Sequence, residues 1–351
     1  MSHPSRPLRD SDALARAGLI DAARAQALAP VAARYAVAVT PAMAALIDPA
    51  DAADPIAAQF VPDPDELVHA PGEIADPIGD SARSPLRGIV HRYPDRALLT
   101  PTFVCRVYCR FCFRREVVGP GEGAALTKGE LDAAFAYIAA RPAIREVILT
   151  GGDSLALPAR RIEALMERLG AIPHVGTARW HSRVPVVAPE RLKEAFCAAL
   201  ASRDGLSSVV AVHVNHAREL TAAARAALRR LQRAGVLLVS QSVLLKGVNA
   251  DAATLAELMR ALVEAGVKPY YLHHPDLAPG TARFRLSIED GLAIMRALRG
   301  HVSGLMIPAY VLDIPGGFGK VALESGAARR NEDGSWSLTD FRGGLHAYRD
   351  A

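Results

Sequence analysis

Cysteine is scarce in this chain of 351 residues, which contains only four. The N-terminal stretch MSHPSRPLRDSDALARAG also lacks the apolar core that a secretory signal requires. We therefore predict a cytoplasmic protein. The reducing cytosol argues against a disulfide framework, and clustered cysteines in such a compartment indicate a metal site or catalysis.

Long hydrophobic runs and a strong net charge are missing as well. No apolar run approaches the ~18–20 residues that a membrane span needs, and the stretch 236–245 has only the length of a strand. The 41 basic and 37 acidic residues leave a net charge of +4, which is too small to indicate a nucleic-acid partner. The length suits one large α/β domain or two smaller domains.

Residues 1–90 are rich in alanine and proline. The stretch SDALARAGLIDAARAQALAPVAARYA predicts a helix with Ser11 or Asp12 as its N-cap. The prolines that follow exclude any long regular element. We predict a helical cap followed by a long wrapping segment.

From residue 97 onwards, short β-rich runs alternate with helical patterns. The runs are ALLTPTF, REVILTGG, GTARWHSR, SVVAVHVNH, VLLVSQSV and KPYYLHH, and the helical patterns lie near 128–140, 159–170, 189–201, 218–234, 251–266 and 286–299. A final strand, SGLMIPAYVLD, precedes the glycine-rich IPGGFGK. Six β-then-α units in series favour a partial TIM-type (β/α)6 barrel with an N-terminal helical extension, and a doubly wound sheet is the alternative. In a barrel, functional residues collect at the C-terminal ends of the strands.

Three of the four cysteines lie within eight residues, as Cys105, Cys109 and Cys112 in FVCRVYCRFCFRR. A structural zinc ion needs four ligands, usually in two pairs, and no second pair follows. Three thiolates would instead hold an iron–sulfur cluster and leave one iron open to a small molecule. The spacing C-x-x-x-C-x-x-C after the first strand resembles the signature of radical S-adenosylmethionine (SAM) enzymes. The glycines of LTGGD, Gly151 and Gly152, would allow close approach of a cofactor amino group.

Lysine is rare among the basic residues, with five lysines against 36 arginines. One of the five, Lys320, follows the glycine-rich loop. A lysine amine forms a Schiff base with an aldehyde such as pyridoxal phosphate, which arginine cannot do. The alternative is a solvated surface lysine. Arg92 and Arg96 in HRYPDR offer cations for a phosphate group.

The motifs taken together resemble those of the lysine 2,3-aminomutase family from about residue 60 to residue 323. They are HRYPDRALL, CRVYCRFCFRR, LTGGD, HSRVPVV, QSVLLKGVN, KPYYLHHPDL and DIPGGFGK. The resemblance implies a partial (β/α) barrel with a 4Fe-4S cluster, SAM and pyridoxal 5′-phosphate. It implies an isomerase that interconverts L-lysine and β-lysine by amino migration through a 5′-deoxyadenosyl radical and a Schiff base of pyridoxal phosphate.

The resemblance also implies a role for each matching residue. Cys105, Cys109 and Cys112 would bind the cluster, and Lys320 would carry pyridoxal phosphate. Arg114 would receive the substrate carboxylate, and Asp276 and Asp313 would bind its distal ammonium group. The other cofactor contacts would be Arg92, Arg96, Arg110, Gly151, Gly152, Asp153, Ser182, His213 and Gln241.

Three segments follow from these assignments. Residues 1–90 would form the helical cap and wrapping segment, residues 91–285 the barrel core with the cluster and SAM sites, and residues 286–351 would complete the pyridoxal phosphate and substrate site. The expected partners are lysine, a reductant such as flavodoxin or ferredoxin, and further copies of the chain, with no membrane and no direct nucleic-acid contact. The cysteine-rich C-terminal extension with which some family members bind zinc between subunits is not expected here.

Two other functions remain open at this point. One is another member of the same family, either the branch that supplies β-lysine for elongation factor P, which several motifs resemble, or an aminomutase for a related amino acid. The other is a zinc-finger or nucleic-acid-binding module, which the ligand number and the weak net charge oppose. Single residues also have structural alternatives, namely a metal pair at His273–His274, backbone contacts for His213 and His216, a core position for Cys197 and a helix cap at Asp153.

Overall fold

Nine strands form one sheet whose order follows the chain from β1 to β9. Strands β2 to β8 run parallel, while β1 and β9 pair antiparallel at the two ends. This computed structural model describes residues 6–121, 123–326, 328–340 and 342–350. The strands are β1 Ile89–Tyr93, β2 Arg96–Thr102, β3 Glu146–Gly151, β4 Thr177–Ser182, β5 Ser207–His213, β6 Leu237–Val243, β7 Lys268–His273, β8 Ala309–Ile314 and β9 Gly319–Ala322.

Helices occupy the connections between the parallel strands. Because the strand order never reverses, the sheet is not doubly wound, and the predicted partial barrel is confirmed. The α-helices of the described residues are α1 Ser11–Arg16, α2 Ala22–Arg34, α3 Pro41–Ala44, α4 Pro55–Phe60, α5 Lys128–Ala139, α6 Ala159–Gly170, α7 Val184–Val187, α8 Glu194–Ala199, α9 Ala222–Arg233, α10 Ala252–Glu264 and α11 Ile288–Leu298.

The two ends of the sheet meet through Tyr93 and Lys320. The backbone N–H of Lys320, on β9, donates to the hydroxyl oxygen of Tyr93, on β1, at 2.6 Å. Gly319 makes this approach possible, because a Cβ atom at that position would lie 2.7 Å from the same hydroxyl oxygen. The barrel is therefore nearly closed, with its first and last strands in contact.

Hydrophobic periodicity explains how the helices pack. In α6 the buried residues are Ile162, Leu165, Met166 and Leu169, which recur at the i, i+3, i+4, i+7 spacing of one helical face. The strand β5 reads SSVVAVH and is buried along most of its length, as expected for a parallel strand that is covered on both faces.

Three predicted elements differ in detail. The predicted N-terminal helix divides into α1 and α2, because Gly18 adopts a positive φ of 72°, and the N-cap is Asp10 instead of Ser11 or Asp12. The helix predicted near 189–201 is a short 3-10 turn at 189–191 followed by α8. Arg92 belongs to β1, a strand that the sequence did not predict, which forms a hairpin with β2.

The segment before β1 wraps around the barrel and touches its loops. The N–H of Ile74 donates to the carbonyl of Leu277, and Gly79 packs so closely on Gly317 that a Cβ atom would lie 2.2 Å from the Gly317 nitrogen. A separate antiparallel sheet follows the barrel, with β10 Ala328–Arg330, β11 Trp336–Thr339 and β12 Leu345–Tyr348. None of the helices among the described residues is long and apolar enough to cross a membrane.

The main sheet continues through the predicted boundary at residue 285, since β8 and β9 belong to it. We therefore propose the three segments as stretches of sequence and not as independently folding units. Residues 1–5, 327, 341 and 351, within the first and last segments, lie outside the described residues.

Candidate active site

A cavity of about 460 Å³ runs along the inside of the barrel, from the starts of the parallel strands at Arg96 and Glu146 to their C-terminal ends. All of the predicted site residues except Arg110 line it. Its walls come from the loop after β2, from the ends of β3 to β8 and from Lys320 on β9. The fold thus brings together predicted site residues that are up to 228 positions apart, from Arg92 to Lys320.

The three clustered cysteines lie on the loop between β2 and α5 and face this cavity. Burial, followed by the charge of Cys109, raises the pKa of the Cys112 thiol to about 11. Burial, Asp153 and the other two cysteines raise the pKa of Cys105 well above its ordinary value. Three thiolates so close together need a cationic centre to stabilise them, which an iron–sulfur cluster supplies.

The spacing of these side chains also bears on the zinc alternative. Within 6–121, 123–326, 328–340 and 342–350, no three His, Cys, Asp or Glu side chains converge closely enough to hold a single metal ion. A zinc thiolate bond is only about 2.3 Å long, so zinc ligands must crowd around one point.

Arg183 donates from Nη1 to the Cys109 sulfur at 3.0 Å. The same guanidinium is buried and donates to Glu219 at 2.5 Å and to Gln59 at 3.0 Å. Although burial opposes it, the charges of Cys109 and Glu219 raise the pKa of Arg183 above its ordinary value. A fixed positive charge therefore stands beside one of the clustered sulfurs.

The glycines of LTGGD line the cavity, where the predicted approach of a cofactor amino group stays a prediction, and they also make a close backbone contact. A Cβ atom on Gly152 would lie 2.5 Å from the backbone of Phe103 and of Val104, so the close approach is to the start of the cysteine loop. Asp153 continues this contact, since its N–H donates to the Val104 carbonyl at 3.0 Å. The GGD turn thus fixes the chain that leads into the cysteines.

Asp153 and Ser182 line the cavity, but their polar atoms already bind each other. The Ser182 hydroxyl donates to Asp153 at 2.6 Å, and the N–H groups of Leu155 and Arg183 donate to the same carboxylate at 3.0 and 2.8 Å. Asp153 therefore acts as a cap, the structural alternative, and joins the ends of β3 and β4.

Lys320 forms an ion pair with Asp313 at the opposite wall. Its Nζ lies 2.6 Å from both carboxylate oxygens. His273 Nδ1 lies 3.4 Å from the same carboxylate. Burial opposes ionisation, yet Lys320 and His273 together hold the pKa of Asp313 well below its usual range.

Asp276 differs from Asp313 in its surroundings. In the part of the chain that the structure describes, no hydrogen bond or ion pair reaches its carboxyl group. Burial, followed by the charge of Asp313, raises the pKa of Asp276 to about 8. This carboxyl group is therefore poised to ionise when a cation approaches.

Two cavity arginines share one acidic partner, Asp80. Arg114 donates to it from Nε at 3.0 Å and from Nη2 at 2.7 Å, and Arg92 donates from Nη2 at 3.0 Å. Arg92 also lies 3.8 Å from Asp313. Arg96 lines the cavity as well, where its guanidinium stacks 3.7 Å from the ring of Tyr93.

Arg110 departs from the prediction that it contacts a cofactor. Its side chain is almost fully buried away from the cavity, where Nε and Nη2 donate to Glu66 at 2.9 and 2.5 Å. Arg115 donates to the same carboxylate. Cys109, the residue before Arg110, faces the cavity, whereas Arg110 faces the wrapping segment.

Several cavity residues escaped the sequence prediction. Asp80 lies in the proline-rich segment, where nothing in the pattern marks a site. His181 and His213 each keep a buried Nε2 without a hydrogen-bond partner among the described residues, as does the Nε of Arg92. Such buried polar atoms fit a cavity that receives a polar ligand. The residues that the prediction missed include Asp80, Tyr93, Glu146, Thr150, Arg179, Tyr270 and Tyr271.

The alternatives for single residues are resolved by their contacts. His273 faces the cavity, while His274 faces the core and lies 2.7 Å from the Tyr310 hydroxyl, so they do not form a metal pair. His216 accepts from the N–H of Arg218 at 3.2 Å and caps a short turn. Cys197 is 1% exposed and belongs to the core, as expected.

Two family models match the chain. Residues 99–272 match the radical SAM superfamily, and residues 295–350 match the model described as lysine-2,3-aminomutase. A putative L-lysine 2,3-aminomutase of Aquifex aeolicus is 40% identical over 90% of this chain and 84% of its own length. The chain belongs to the lysine 2,3-aminomutase family. It is therefore a radical SAM enzyme of the isomerase class, and its family implies a 4Fe-4S cluster, SAM and an amino acid substrate.

Members of the family with different substrates resemble the chain. An L-lysine 2,3-aminomutase of Fusobacterium nucleatum is 38% identical over 82% of this chain and 67% of its own. A glutamate 2,3-aminomutase of Clostridioides difficile is 34% identical over 91% of this chain and 75% of its own. Among solved structures, a radical SAM methyltransferase from Sphaerobacter thermophilus aligns with a TM-score of 0.42 and 23% identity, over 64% of this chain and 67% of that one.

Proposed function

We propose that this enzyme is an L-lysine 2,3-aminomutase, which interconverts L-lysine and β-lysine. The observation that carries the proposal is the charge distribution of the cavity. It presents the guanidinium of Arg114 together with two carboxyl groups, those of Asp276 and Asp313. Lysine has a carboxylate for the arginine and a distal ammonium group for the aspartates.

The cofactors are assigned to residues that fit their chemistry. Cys105, Cys109 and Cys112 would hold the 4Fe-4S cluster. Lys320 would bind pyridoxal phosphate, because it is a lysine amine in the cavity and is held by a carboxylate. Arg92 and Arg96 would bind its phosphate, and Gln241 and His213 would line the remaining cofactor space.

The cluster and SAM, when bound, supply hydrogen-atom abstraction, and pyridoxal phosphate supplies an aldehyde that activates the α-amino group. The chain itself binds and orients the substrate, and it excludes water from the site. Buried residues surround the cavity, and a shielded site protects a reactive radical from stray hydrogen donors. The fork of Arg114 would fix the substrate at one end, so that its reacting carbons keep one position.

The pairing of Lys320 with Asp313 supports lysine over glutamate. Lys320 would hold pyridoxal phosphate through its Nζ, and Asp313, which lies 2.6 Å from that nitrogen, would then be available to a second cation. Two neighbouring carboxyl groups then favour an incoming ammonium group. The γ-carboxylate of glutamate would instead be repelled by the ionised Asp313, and it would gain no attraction from Asp276, which offers no positive charge.

An anaerobic assay tests this function directly. Protein reconstituted with iron, sulfide and pyridoxal phosphate is incubated with SAM, a reductant and either L-lysine or L-glutamate. We expect β-lysine from lysine and at most a trace of product from glutamate. Equal conversion of glutamate would refute the proposal. If free lysine is turned over only slowly and β-lysine is found on elongation factor P in cells, the result would favour the family branch that supplies β-lysine for that factor.

A further inference from the structure

The geometry around Asp80 points to a positioning role that the sequence did not reveal. We propose that Asp80 fixes the guanidinium of Arg114 and thereby sets the affinity of the cavity for the substrate carboxylate. The inference rests on the proposed function, in which Arg114 receives that carboxylate. Asp80 itself is held in place, because its N–H donates to Asp76 at 2.9 Å.

The hydrogen bonds of Arg114 leave one edge of its guanidinium open. Asp80 accepts from Nε and Nη2, at 3.0 and 2.7 Å, and the Thr150 hydroxyl accepts from Nη1 at 3.1 Å. A guanidinium has five N–H groups, so one N–H on each Nη atom remains. No other described residue accepts these two groups. With Nε and Nη2 turned to Asp80, the two Nη atoms at the end of the guanidinium are the edge through which Arg114 would bind a carboxylate.

Asp80 also connects the two ends of the proposed site. Its second oxygen accepts from Arg92 at 3.0 Å, Arg92 lies 3.8 Å from Asp313, and Asp313 binds Lys320 at 2.6 Å. The result is a row of alternating charges, in the order Arg114, Asp80, Arg92, Asp313 and Lys320. This row of charges fixes the guanidinium of Arg114 relative to Lys320, the proposed cofactor lysine.

Two effects of Asp80 on carboxylate binding oppose each other. Its negative charge weakens the attraction of Arg114 for an anion, while its two hydrogen bonds fix a long and flexible side chain. We expect orientation to dominate, because ordering such a side chain on binding weakens affinity by about three- to tenfold. Asn has only one accepting oxygen and no charge, so it cannot hold Arg114 and Arg92 together as Asp80 does. The Asp80→Asn variant should therefore bind the substrate carboxylate more weakly.

The test compares two ligands on protein loaded with pyridoxal phosphate and kept without reductant, so that no turnover occurs. L-lysine has the carboxylate, and 1,5-diaminopentane lacks it but keeps two ammonium groups. Calorimetric titration should show a loss of about three- to tenfold for lysine in Asp80→Asn and no change for diaminopentane. Asp80→Glu should lose less, since its carboxylate can still accept hydrogen bonds from Arg114.

Asp132→Asn is the matched control, because Asp132 also pairs with an arginine, Arg168, but on the outer surface at α5. The inference would be overturned if Asp80→Asn lost affinity equally for lysine and for diaminopentane. It would also be overturned if the affinity of this variant for lysine were unchanged or higher. If Asp80→Asn does not fold, Thr150→Val removes the Nη1 acceptor and should show the same selectivity for lysine. Failure of the unaltered protein to bind lysine would instead refute the proposed function.

Discussion

Asp276 and Asp313 are two carboxyl groups in one cavity, and their neighbours give them different charges. Asp313 has Lys320 at 2.6 Å and His273 at 3.4 Å, so it stays ionised. Asp276 has neither, and burial together with Asp313 raises its pKa to about 8. Near neutral pH, Asp276 is therefore mostly protonated in the protein without substrate.

This difference predicts a pH dependence of lysine binding. A cation binds the ionised form of Asp276, whose population grows as the pH rises towards its pKa of about 8. The affinity for L-lysine should then rise by about an order of magnitude between pH 6.5 and pH 8. Calorimetric titration with L-lysine across this pH range measures the change in affinity. The rise should disappear in Asp276→Asn, and a flat profile in the unaltered protein would contradict the assignment.

Residues were predictable where a motif marks them and not where only the fold brings them together. Lys320 and the cysteines stand in distinctive local sequences, and the cavity contains all of them. Arg110 stands in the same motif as Cys109 and Cys112 but is turned away by its bonds to Glu66. No local sequence motif marks Asp80, because its two arginine partners lie 12 and 34 positions away along the chain.

At the scale of elements, the GGD turn and the cysteine loop behave as one unit. Gly152 touches the backbone of Phe103 and Val104, and its N–H donates to the Thr102 carbonyl at 2.8 Å. The turn after β3 thus holds the chain that leaves β2. The arrangement of the cysteines depends on the contact between two neighbouring strands.

The cysteine loop should carry the cluster as a unit. We expect anaerobically purified protein to contain about four irons per chain, with inorganic sulfide and visible absorption that bleaches on reduction. Replacing Cys105, Cys109 or Cys112 by alanine should abolish this absorption, because each supplies one of only three thiolates in the cavity. Iron analysis and absorption spectra measure the outcome.

Cys197→Ala serves as the control for this experiment. Its thiol is buried in α8, 1% exposed, and its sulfur contacts the Leu192 carbonyl, far from the cysteine loop in sequence. The variant should keep the full iron content. An intact cluster in any of the three loop variants would disprove the ligand assignment.

At the scale of the whole molecule, periodicity predicted the parallel strands but not the two that flank them. Runs such as REVILTGG and SVVAVHVNH are buried on both faces and stand out as apolar. In contrast, β1 and β9 are short and contain Arg92 and Lys320, the proposed cofactor contacts, whose polarity hides the strand pattern. Their pairing is set by long-range contacts that local sequence does not encode.

Because β1 and β9 close the barrel, a ligand that binds both should stabilise the entire fold. Pyridoxal phosphate would contact Arg92 on one strand and Lys320 on the other, which already meet through Tyr93. Binding to the folded state alone adds about 2.7 kcal/mol at a hundredfold excess over Kd. We expect pyridoxal phosphate to raise the temperature of thermal unfolding by several degrees, measured by calorimetry.

The Lys320→Ala variant should lose most of this rise in unfolding temperature, because pyridoxal phosphate can no longer bond to β9. Lys128→Ala, which removes an exposed lysine of α5, should keep it. Borohydride reduction followed by mass spectrometry should place the adduct on Lys320, because this lysine alone among the five lines the cavity. An adduct on another lysine, or an equal shift in both variants, would mean that pyridoxal phosphate does not join the two ends of the sheet.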